Sequence, residues 1–148
     1  MNVLERFLAY AADFEKTVVD DDWSRLEPHF ADDAVYRVES DLFGCELHGA
    51  LPILAGMKKS LDGFDHRFDT REIAVTDGPE VEGNELQIAW TVTYTLDEHP
   101  PFVLRGRSSA RLGDGGIELL VDSYDAEADR EARSWMQQTG VQLDPTYA

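Results

Sequence analysis

The order of helix and strand signals in this sequence predicts an α+β fold, in which N-terminal helices are wrapped by a curved, mostly antiparallel sheet. Two observations support the prediction. Helical periodicity occupies most of the chain up to Leu61, and four consecutive strand signals follow, the first starting at His66 and the last ending at Tyr124. This order places the helices on one face of the sheet.

The N-terminal half is predicted to form three helices around one short strand. Apolar side chains recur between Val3 and Val18 at the spacing of one buried helical face. Three aspartates at 20–22 interrupt this first helix. The elements that follow are a short helix at Trp23–Phe30, a strand at Ala34–Val38, a loop at 39–49 and a helix at Ala50–Leu61 with Gly63 just past its end.

The C-terminal half is predicted to be a run of strands joined by turns. Its strand segments are rich in β-branched and aromatic residues and alternate in polarity. Turn residues separate them at 77–79, 100–101 and 113–116. The predicted strands are His66–Val75, Glu85–Leu96, Phe102–Leu112 and Ile117–Tyr124. A short helix at about 126–138 and a loose tail follow.

The alternation of side chains along a strand assigns the two faces of the sheet. Trp90, Val92 and Tyr94 share one face of their strand. Asp122 and Tyr124 share a face of the last strand, whose opposite face is also apolar. Because both faces carry apolar groups, we expect a homodimer that buries the outer face of the sheet.

A strong negative charge limits the possible partners. The chain has 30 acidic and 13 basic side chains, a net charge of -17 at pH 7. Such a surface repels phosphate groups, so neither a nucleic acid nor an anionic membrane is an expected partner. The low lysine content suits a high-salt cytoplasm, where ions screen the self-repulsion, although a GC-rich genome also favours arginine over lysine.

Length predicts one domain spanning residues 1–148. No stretch approaches the roughly 20 apolar residues of a membrane helix. The charged N-terminus differs from a signal peptide, so we expect a cytoplasmic protein. Cys45 is the only cysteine and cannot form an internal disulfide. It is either a catalytic thiol or a partly buried residue without a chemical role.

Three segments resemble the nuclear transport factor two-like superfamily, in particular its SnoaL-like, polyketide cyclase-like branch. They are DDDWSRLEPHFADDAVYRV at 20–38, HGALPIL at 48–54 and RSSARLGDGGIELLVDSYD at 107–125. The resemblance covers about residues 3–126, which implies a single SnoaL-like domain with its core there and a C-terminal helix and tail at 127–148. The resemblance implies a cone-shaped, cystatin-like fold with a hydrophobic pocket between the sheet and the first and third helices, and frequent dimerisation. It implies no single function, because the superfamily includes isomerases, cyclases, dehydratases, hydrolases and non-catalytic binding proteins.

Two well-known mechanisms of the superfamily are incomplete in this chain. The catalytic base, the tyrosine and the buried aspartate of ketosteroid isomerases fall on Val38, Phe14 and near Ser108. Limonene epoxide hydrolase uses an Asp–Arg–Asp arrangement, of which this chain has only Asp122, because threonines occupy positions 91 and 93. The resemblance therefore supports neither mechanism.

Asp122 is the candidate proton shuttle, because burial raises the pKa of a carboxyl group and SnoaL-like cyclases use an acidic residue in this way. The alternative is a structural aspartate that binds backbone groups or Arg105. His66 and Tyr94 are the candidate partners, since scytalone dehydratase relies on histidines and tyrosines. The expected substrate-binding residues are Tyr36, Val38, His48, Trp90, Val92 and Tyr124.

These observations predict a cofactor-independent acid/base enzyme, either a cyclase, an isomerase, a dehydratase or a hydrolase, for a small apolar molecule. A non-catalytic, small-molecule-binding or dimeric accessory domain fits the same fold. The scattered histidines and the single cysteine predict no metal site, and no phosphate-binding loop is present. We therefore expect no cofactor.

Overall fold

The computed structural model describes all 148 residues and confirms the predicted α+β fold. The helices are α1 (Val3–Asp20), α2 (Ala50–Gly63) and α3 (Ala126–Thr139), and the strands are β1 (Phe30–Glu39), β2 (Cys45–His48), β3 (Thr70–Glu82), β4 (Glu85–Thr95), β5 (Phe102–Gly113) and β6 (Gly116–Ser123). The strands form one curved, open sheet in the order β2-β1-β6-β5-β4-β3. Neighbouring strands are antiparallel except β1 and β6, which run parallel.

The first helix turns its apolar face towards the sheet. Asn2 caps its N-terminus, where the side-chain oxygen accepts the Glu5 N–H at 2.8 Å. The helix ends where Asp21 adopts a left-handed backbone conformation (φ 59°), which aspartate tolerates better than most residues. Phe7 and Tyr10 are buried on its inner face.

The predicted second helix, Trp23–Phe30, is absent, and its last residue already belongs to β1. Two short 3₁₀ turns, Trp23–Arg25 and Glu27–His29, occupy the segment instead. Pro28 explains the difference, because proline cannot donate a backbone hydrogen bond and disfavours a helical conformation in the preceding residue.

The strand predictions at the two sheet edges also need correction. The predicted loop at 39–49 contains the short edge strand β2, which pairs with β1. The third strand starts at Thr70 rather than His66, because a 3₁₀ turn at Asp65–Arg67 follows α2. It also continues through the predicted turn at 77–79, where a bulge accommodates Pro79, which cannot donate to the ladder.

The C-terminal tail is packed against α2, although the sequence predicts it to be loose. The Asp144 N–H donates to the Gly63 carbonyl oxygen at 3.0 Å, and Lys59 Nζ donates to the Thr146 hydroxyl at 2.5 Å. A side chain at position 63 would clash with the Asp144 carbonyl oxygen, so the close approach depends on glycine there. This packing carries Tyr147 into the protein interior.

The core lies between the sheet and the helices α1 and α2, and α3 packs at one end of it. The Trp135 ring of α3 lies 5.2 Å from the Phe68 ring and 6.0 Å from the Phe102 ring, measured between centroids. Its indole N–H donates to the Pro100 carbonyl oxygen at 2.8 Å. None of the helices has the length and hydropathy needed to cross a membrane.

Candidate functional site

A largely apolar cavity of about 280 Å³ lies between the sheet and the helices α1 and α2. Twenty of its 26 lining residues are hydrophobic. It opens between α1 and the edge strand β3, where the lining residues Leu8, Ile73 and Val75 are 47%, 45% and 57% exposed. Ligand sites in proteins typically measure about 300–1,000 Å³, so this cavity is just below the small end of that range and suits a small molecule.

Asp122 lies on β6 at the cavity wall, between two hydroxyl groups. Its Oδ2 accepts a hydrogen bond from the Tyr36 hydroxyl at 2.6 Å, and its Oδ1 accepts one from Ser108 Oγ at 2.6 Å. The Trp90 indole N–H donates to Ser108 Oγ at 2.9 Å. Strand register produces this arrangement, because Asp122 stands opposite Ser108 on β5 and opposite Val38, two residues from Tyr36, on β1.

The Asp122 carboxyl is stabilised by hydroxyl groups rather than by a positive charge. Burial raises its pKa above the usual value, and the hydrogen bonds from Ser108 and Tyr36 oppose this rise. No cationic side chain contributes to the balance. A carboxyl in this setting holds its proton to higher pH than a surface aspartate, which is the property that acid/base catalysis requires.

A second polar cluster, formed by Glu15, Asp65, Arg71 and Tyr94, lies elsewhere on the cavity wall. Arg71 donates through Nε to Asp65 Oδ2 at 2.9 Å and through Nη1 to Glu15 Oε1 at 2.6 Å. The Tyr94 hydroxyl donates to the same Asp65 oxygen at 2.8 Å. Arg71 and Tyr94 face each other in the β3–β4 ladder, while Asp65 follows α2 and Glu15 belongs to α1.

This second cluster is ionic. Burial opposes the charge of Arg71, but the carboxylates of Asp65 and Glu15 outweigh burial and raise the pKa of the guanidinium. Burial raises the pKa of Asp65, and the Arg71 charge and the Tyr94 hydrogen bond oppose that rise. Arg71 therefore stays charged, and the cluster presents a second polar surface to a largely apolar cavity.

All five tyrosines of the chain line the cavity. Burial raises the pKa of each phenol, so all five stay neutral near pH 7. The hydroxyls of Tyr10 and Tyr124 have no hydrogen-bond partner in the chain and are not sealed inside it, so they are available to a ligand. Tyr147, from the tail, packs edge-on against Tyr36 with ring centroids 5.7 Å apart.

Six of the nine residues predicted for the site line the cavity: Tyr36, Trp90, Val92, Tyr94, Asp122 and Tyr124. Val38 does not, and is buried in the core beside β6. Asp122 and Tyr94, which the sequence predicts to act together in proton transfer, belong to separate clusters. Asp122 accepts a hydrogen bond from Tyr36, whereas Tyr94 donates one to Asp65.

The two histidines predicted for the site lie outside the cavity, which corrects their predicted placement. His48 is on the edge strand β2 beside Glu46, with its side chain 67% exposed. His66 Nε2 donates to the Val18 carbonyl oxygen at 2.8 Å. The sequence predicts that His66 begins a strand, but it belongs to the 3₁₀ turn before β3, where the alternation of strand faces does not apply.

Sequence reasoning missed seven polar groups of the cavity wall, of which Tyr10 lies on α1 and Ser60 on α2. Ser108 had a recognisable signal, because it is a small polar residue in the inward-facing alternation of β5 between Leu104 and Leu112. Four others depend on a turn, on strand register, on helix packing and on tail packing, and had no local signal. They are Glu15, Asp65, Arg71 and Tyr147.

Cys45 is not among the residues that line the cavity. Burial raises the pKa of the Cys45 thiol to about 11, so it is protonated near neutral pH. No three side chains of the histidine, cysteine, aspartate or glutamate types are grouped so that they can hold a metal ion.

Comparison with known proteins supports the fold. No protein-family profile and no curated protein matches the sequence. Among solved structures, TerC crystallised with polyporic acid matches with a TM-score of 0.64 and 20% identity, covering 87% of this chain and 95% of that one.

Two further structures have similar scores. A protein from Shewanella denitrificans described as a SnoaL-like polyketide cyclase has a TM-score of 0.63 and 12% identity, covering 88% of this chain and 96% of its own. An LEH-like epoxide hydrolase from M. tuberculosis has a TM-score of 0.63 and 13% identity, covering 92% and 96%. The chain therefore has the nuclear transport factor two-like fold, and the predicted resemblance to SnoaL-like proteins is confirmed at the level of the fold.

Proposed function

We propose that this protein is a cofactor-independent acid/base enzyme that acts on a small, largely apolar molecule in the cavity, with Asp122 as its proton shuttle. One observation carries the proposal: an acid with a raised pKa and no cationic partner lies on the wall of an apolar cavity. Burial of a carboxyl group without a positive partner is unfavourable. Acids perturbed in this way are common at functional sites.

The Asp122 site is suited to moving a proton between two atoms of a substrate. The carboxylate accepts a proton from one position and returns it to another, while the hydroxyls of Tyr36 and Ser108 stabilise the charged form. Tyr36 thereby takes the partner role that the sequence assigns to His66 or Tyr94. Cyclisation, isomerisation, dehydration and hydrolysis all include such proton transfers.

The unpaired phenols supply the second part of this mechanism. The hydroxyls of Tyr10 and Tyr124 line the cavity and donate to no protein acceptor. They can therefore donate hydrogen bonds to a substrate oxygen on which negative charge develops when Asp122 removes a proton. Because burial raises the pKa of both phenols, they remain donors throughout the neutral range.

Structural relatives favour a small organic substrate. One relative is described as a polyketide cyclase and another as an epoxide hydrolase, and TerC was crystallised with polyporic acid. Each description concerns a small organic molecule, which agrees in kind with an apolar cavity of about 280 Å³.

A non-catalytic binding protein is the alternative, and the hydrogen bonding of Asp122 favours it. Both carboxyl oxygens already accept bonds from hydroxyl groups of the chain. In this case Asp122 links β1 to β5 through its two acceptors, and the cavity only holds a ligand.

Exchange of hydrogen for deuterium in a simple ketone tests the enzymatic proposal. 2-Tetralone is a flat, apolar ketone whose protons beside the carbonyl exchange with solvent when a base removes them. We expect the protein to accelerate this exchange in D₂O, and we expect Asp122→Asn to lower the acceleration about 10²–10⁴-fold, the usual contribution of general acid/base catalysis. Asp33→Asn, at an exposed position of β1, is the matched control and keeps the original rate.

The same experiment separates the two candidate functions. Binding of 2-tetralone without acceleration of exchange supports the non-catalytic protein. Acceleration that survives Asp122→Asn removes Asp122 from the mechanism.

We also propose that the protein acts in the cytoplasm as a homodimer formed through the outer face of the sheet. Val103 on β5 is exposed, and the half-buried Val35 and Leu119 lie on the same face. Light scattering after size exclusion tests this proposal, with Leu119→Glu expected to yield a monomer. A monomeric wild type at micromolar concentration contradicts it.

A further inference from the structure

The cluster of Glu15, Asp65, Arg71 and Tyr94 leaves two polar atoms without a partner in the chain. Arg71 makes no hydrogen bond through Nη2, and Asp65 accepts none at Oδ1. A carboxylate commonly meets a guanidinium with two parallel hydrogen bonds, and here only the bond from Nε to Oδ2 is made. Neither atom is sealed in protein, because every fully buried side-chain nitrogen and oxygen has a partner.

Both residues line the cavity, and they are far from Asp122 along the sheet. Arg71 stands opposite Tyr94 on β4, whereas Asp122 is in register with Ser108 and, through it, with Ile88 on β4. Six residue steps along β4 separate Ile88 from Tyr94. The cavity therefore has two polar groups at different positions along the strands.

A neutral hydroxyl group matches the two unpaired atoms. It donates to Asp65 Oδ1 and accepts from Arg71 Nη2, whereas a ketone or ether oxygen only accepts and an ammonium group only donates. A carboxylate is disfavoured, because Asp65 and Glu15 already place two negative charges beside one guanidinium. The neighbouring cavity wall is aromatic, with the Phe64 and Tyr94 ring centroids 5.6 Å apart, which favours a hydroxyl carried by a flat ring.

We infer that Asp65 and Arg71 form a hydroxyl-binding subsite, which anchors a phenolic substrate and directs the far end of that substrate towards Asp122. This inference deepens the proposed function and rests on it. The anchored hydroxyl keeps its proton, and no bond is made or broken at the subsite. The substrate class is accordingly an elongated aromatic molecule with a hydroxyl group remote from its reacting atoms.

Paired naphthalene probes test the inference. 2-Naphthol has a hydroxyl group, whereas 2-methoxynaphthalene has an ether oxygen that accepts but cannot donate. We expect the wild type to bind 2-naphthol about 10-fold more tightly, because a hydrogen bond to a charged group is lost with the ether. In Asp65→Asn the amide oxygen still accepts the hydrogen bonds from Arg71 and Tyr94, so the amide N–H₂ takes the place of the free oxygen Oδ1. The hydroxyl of 2-naphthol then has no acceptor there, and we expect the two probes to bind with about equal affinity.

Two control variants locate the effect. Asp62→Asn makes the same substitution at an exposed position of α2, and it keeps the preference for 2-naphthol. Asp122→Asn also keeps the preference for 2-naphthol, because Asp122 belongs to the other polar cluster and the substitution leaves Asp65 and Arg71 unchanged. Loss of the preference in Asp122→Asn but not in Asp65→Asn overturns the inference and leaves the proposed function in place. If neither 2-naphthol nor 2-methoxynaphthalene binds to the wild type, the result overturns both the subsite inference and the proposed function.

A measurement on the wild type covers the case in which Asp65→Asn does not fold. Nuclear Overhauser contacts between the hydroxyl-bearing ring of bound 2-naphthol and the ring protons of Tyr94 support the subsite. Contacts to Tyr36 without contacts to Tyr94 overturn it, because the hydroxyl then lies at the Asp122 end.

Discussion

Replacing Asp122 with asparagine tests whether the cavity contains a desolvated, titrating acid. Burial raises the Asp122 pKa in the folded protein, whereas an unfolded chain has an aspartate pKa of about 3.9. Between these two values the folded state binds more protons than the unfolded state. The free energy of unfolding therefore falls as the pH rises through this window, by at most about 1.4 kcal/mol per pH unit for one group. Asp122→Asn has no titrating group at this position, so its free energy of unfolding lacks this decrease with pH.

The contacts of Asp122 set the size of the effect. Its two hydrogen bonds of 2.6 Å stabilise the charged form by about 1.5–3 kcal/mol each. Desolvation of a buried ion costs several kcal/mol and outweighs them, since the net direction of the pKa shift is upward. A single stabilising substitution commonly raises the free energy of unfolding by about 0.5–2 kcal/mol. We therefore expect Asp122→Asn to be more stable than the wild type by about 1 kcal/mol at pH 8. This advantage shrinks as the pH falls towards 4.

Urea unfolding followed by tryptophan fluorescence, repeated from pH 8 downwards, measures the difference between the two proteins. The difference cancels the contributions of the other acidic residues, and Asp33→Asn provides a reference whose difference stays flat with pH. A wild type that is more stable than Asp122→Asn at pH 8, by a margin that grows with pH, refutes the reasoning. It would mean that the folded-state pKa lies below the unfolded-state value.

Three other outcomes follow from the same structure. Tyr36→Phe removes a donor to the charged Asp122 and raises its pKa further, so we expect a loss of about 1.5–3 kcal/mol in unfolding free energy at pH 8 and a smaller loss in acid, by urea titration. Deleting the C-terminal tail after Gly140 removes Tyr147 from the cavity wall, so we expect stopped-flow fluorescence to show faster dissociation of 2-naphthol. The circular dichroism spectrum should stay unchanged, which shows that the fold is kept. Gly63→Ala displaces the tail and lowers stability by about 1–3 kcal/mol in thermal unfolding, whereas Gly115→Ala, where a Cβ has ordinary contacts, changes it little.

The sheet pattern was predictable because strand alternation is a local property. Trp90, Val92 and Tyr94 were placed on one face from their spacing alone, and all three line the cavity. Predictions were wrong where local signals were weak or conflicting. The segment Trp23–Phe30 has a helical spacing of apolar residues, but Pro28 prevents a continuous helix. The four residues of β2 were too few for a strand signal.

By itself, the sequence determined the α+β plan, the inward-facing stripes of the strands and Asp122 as an acid among apolar neighbours. These features depend on residues that are close together in the chain. Only the tertiary structure decided which groups meet. Tyr36 reaches Asp122 from 86 positions away, and Arg71 meets Glu15 from 56 positions away. Such contacts depend on the pairing of strands that are distant in the chain and on the packing of helices against the sheet, and the pattern within a single segment shows neither of them.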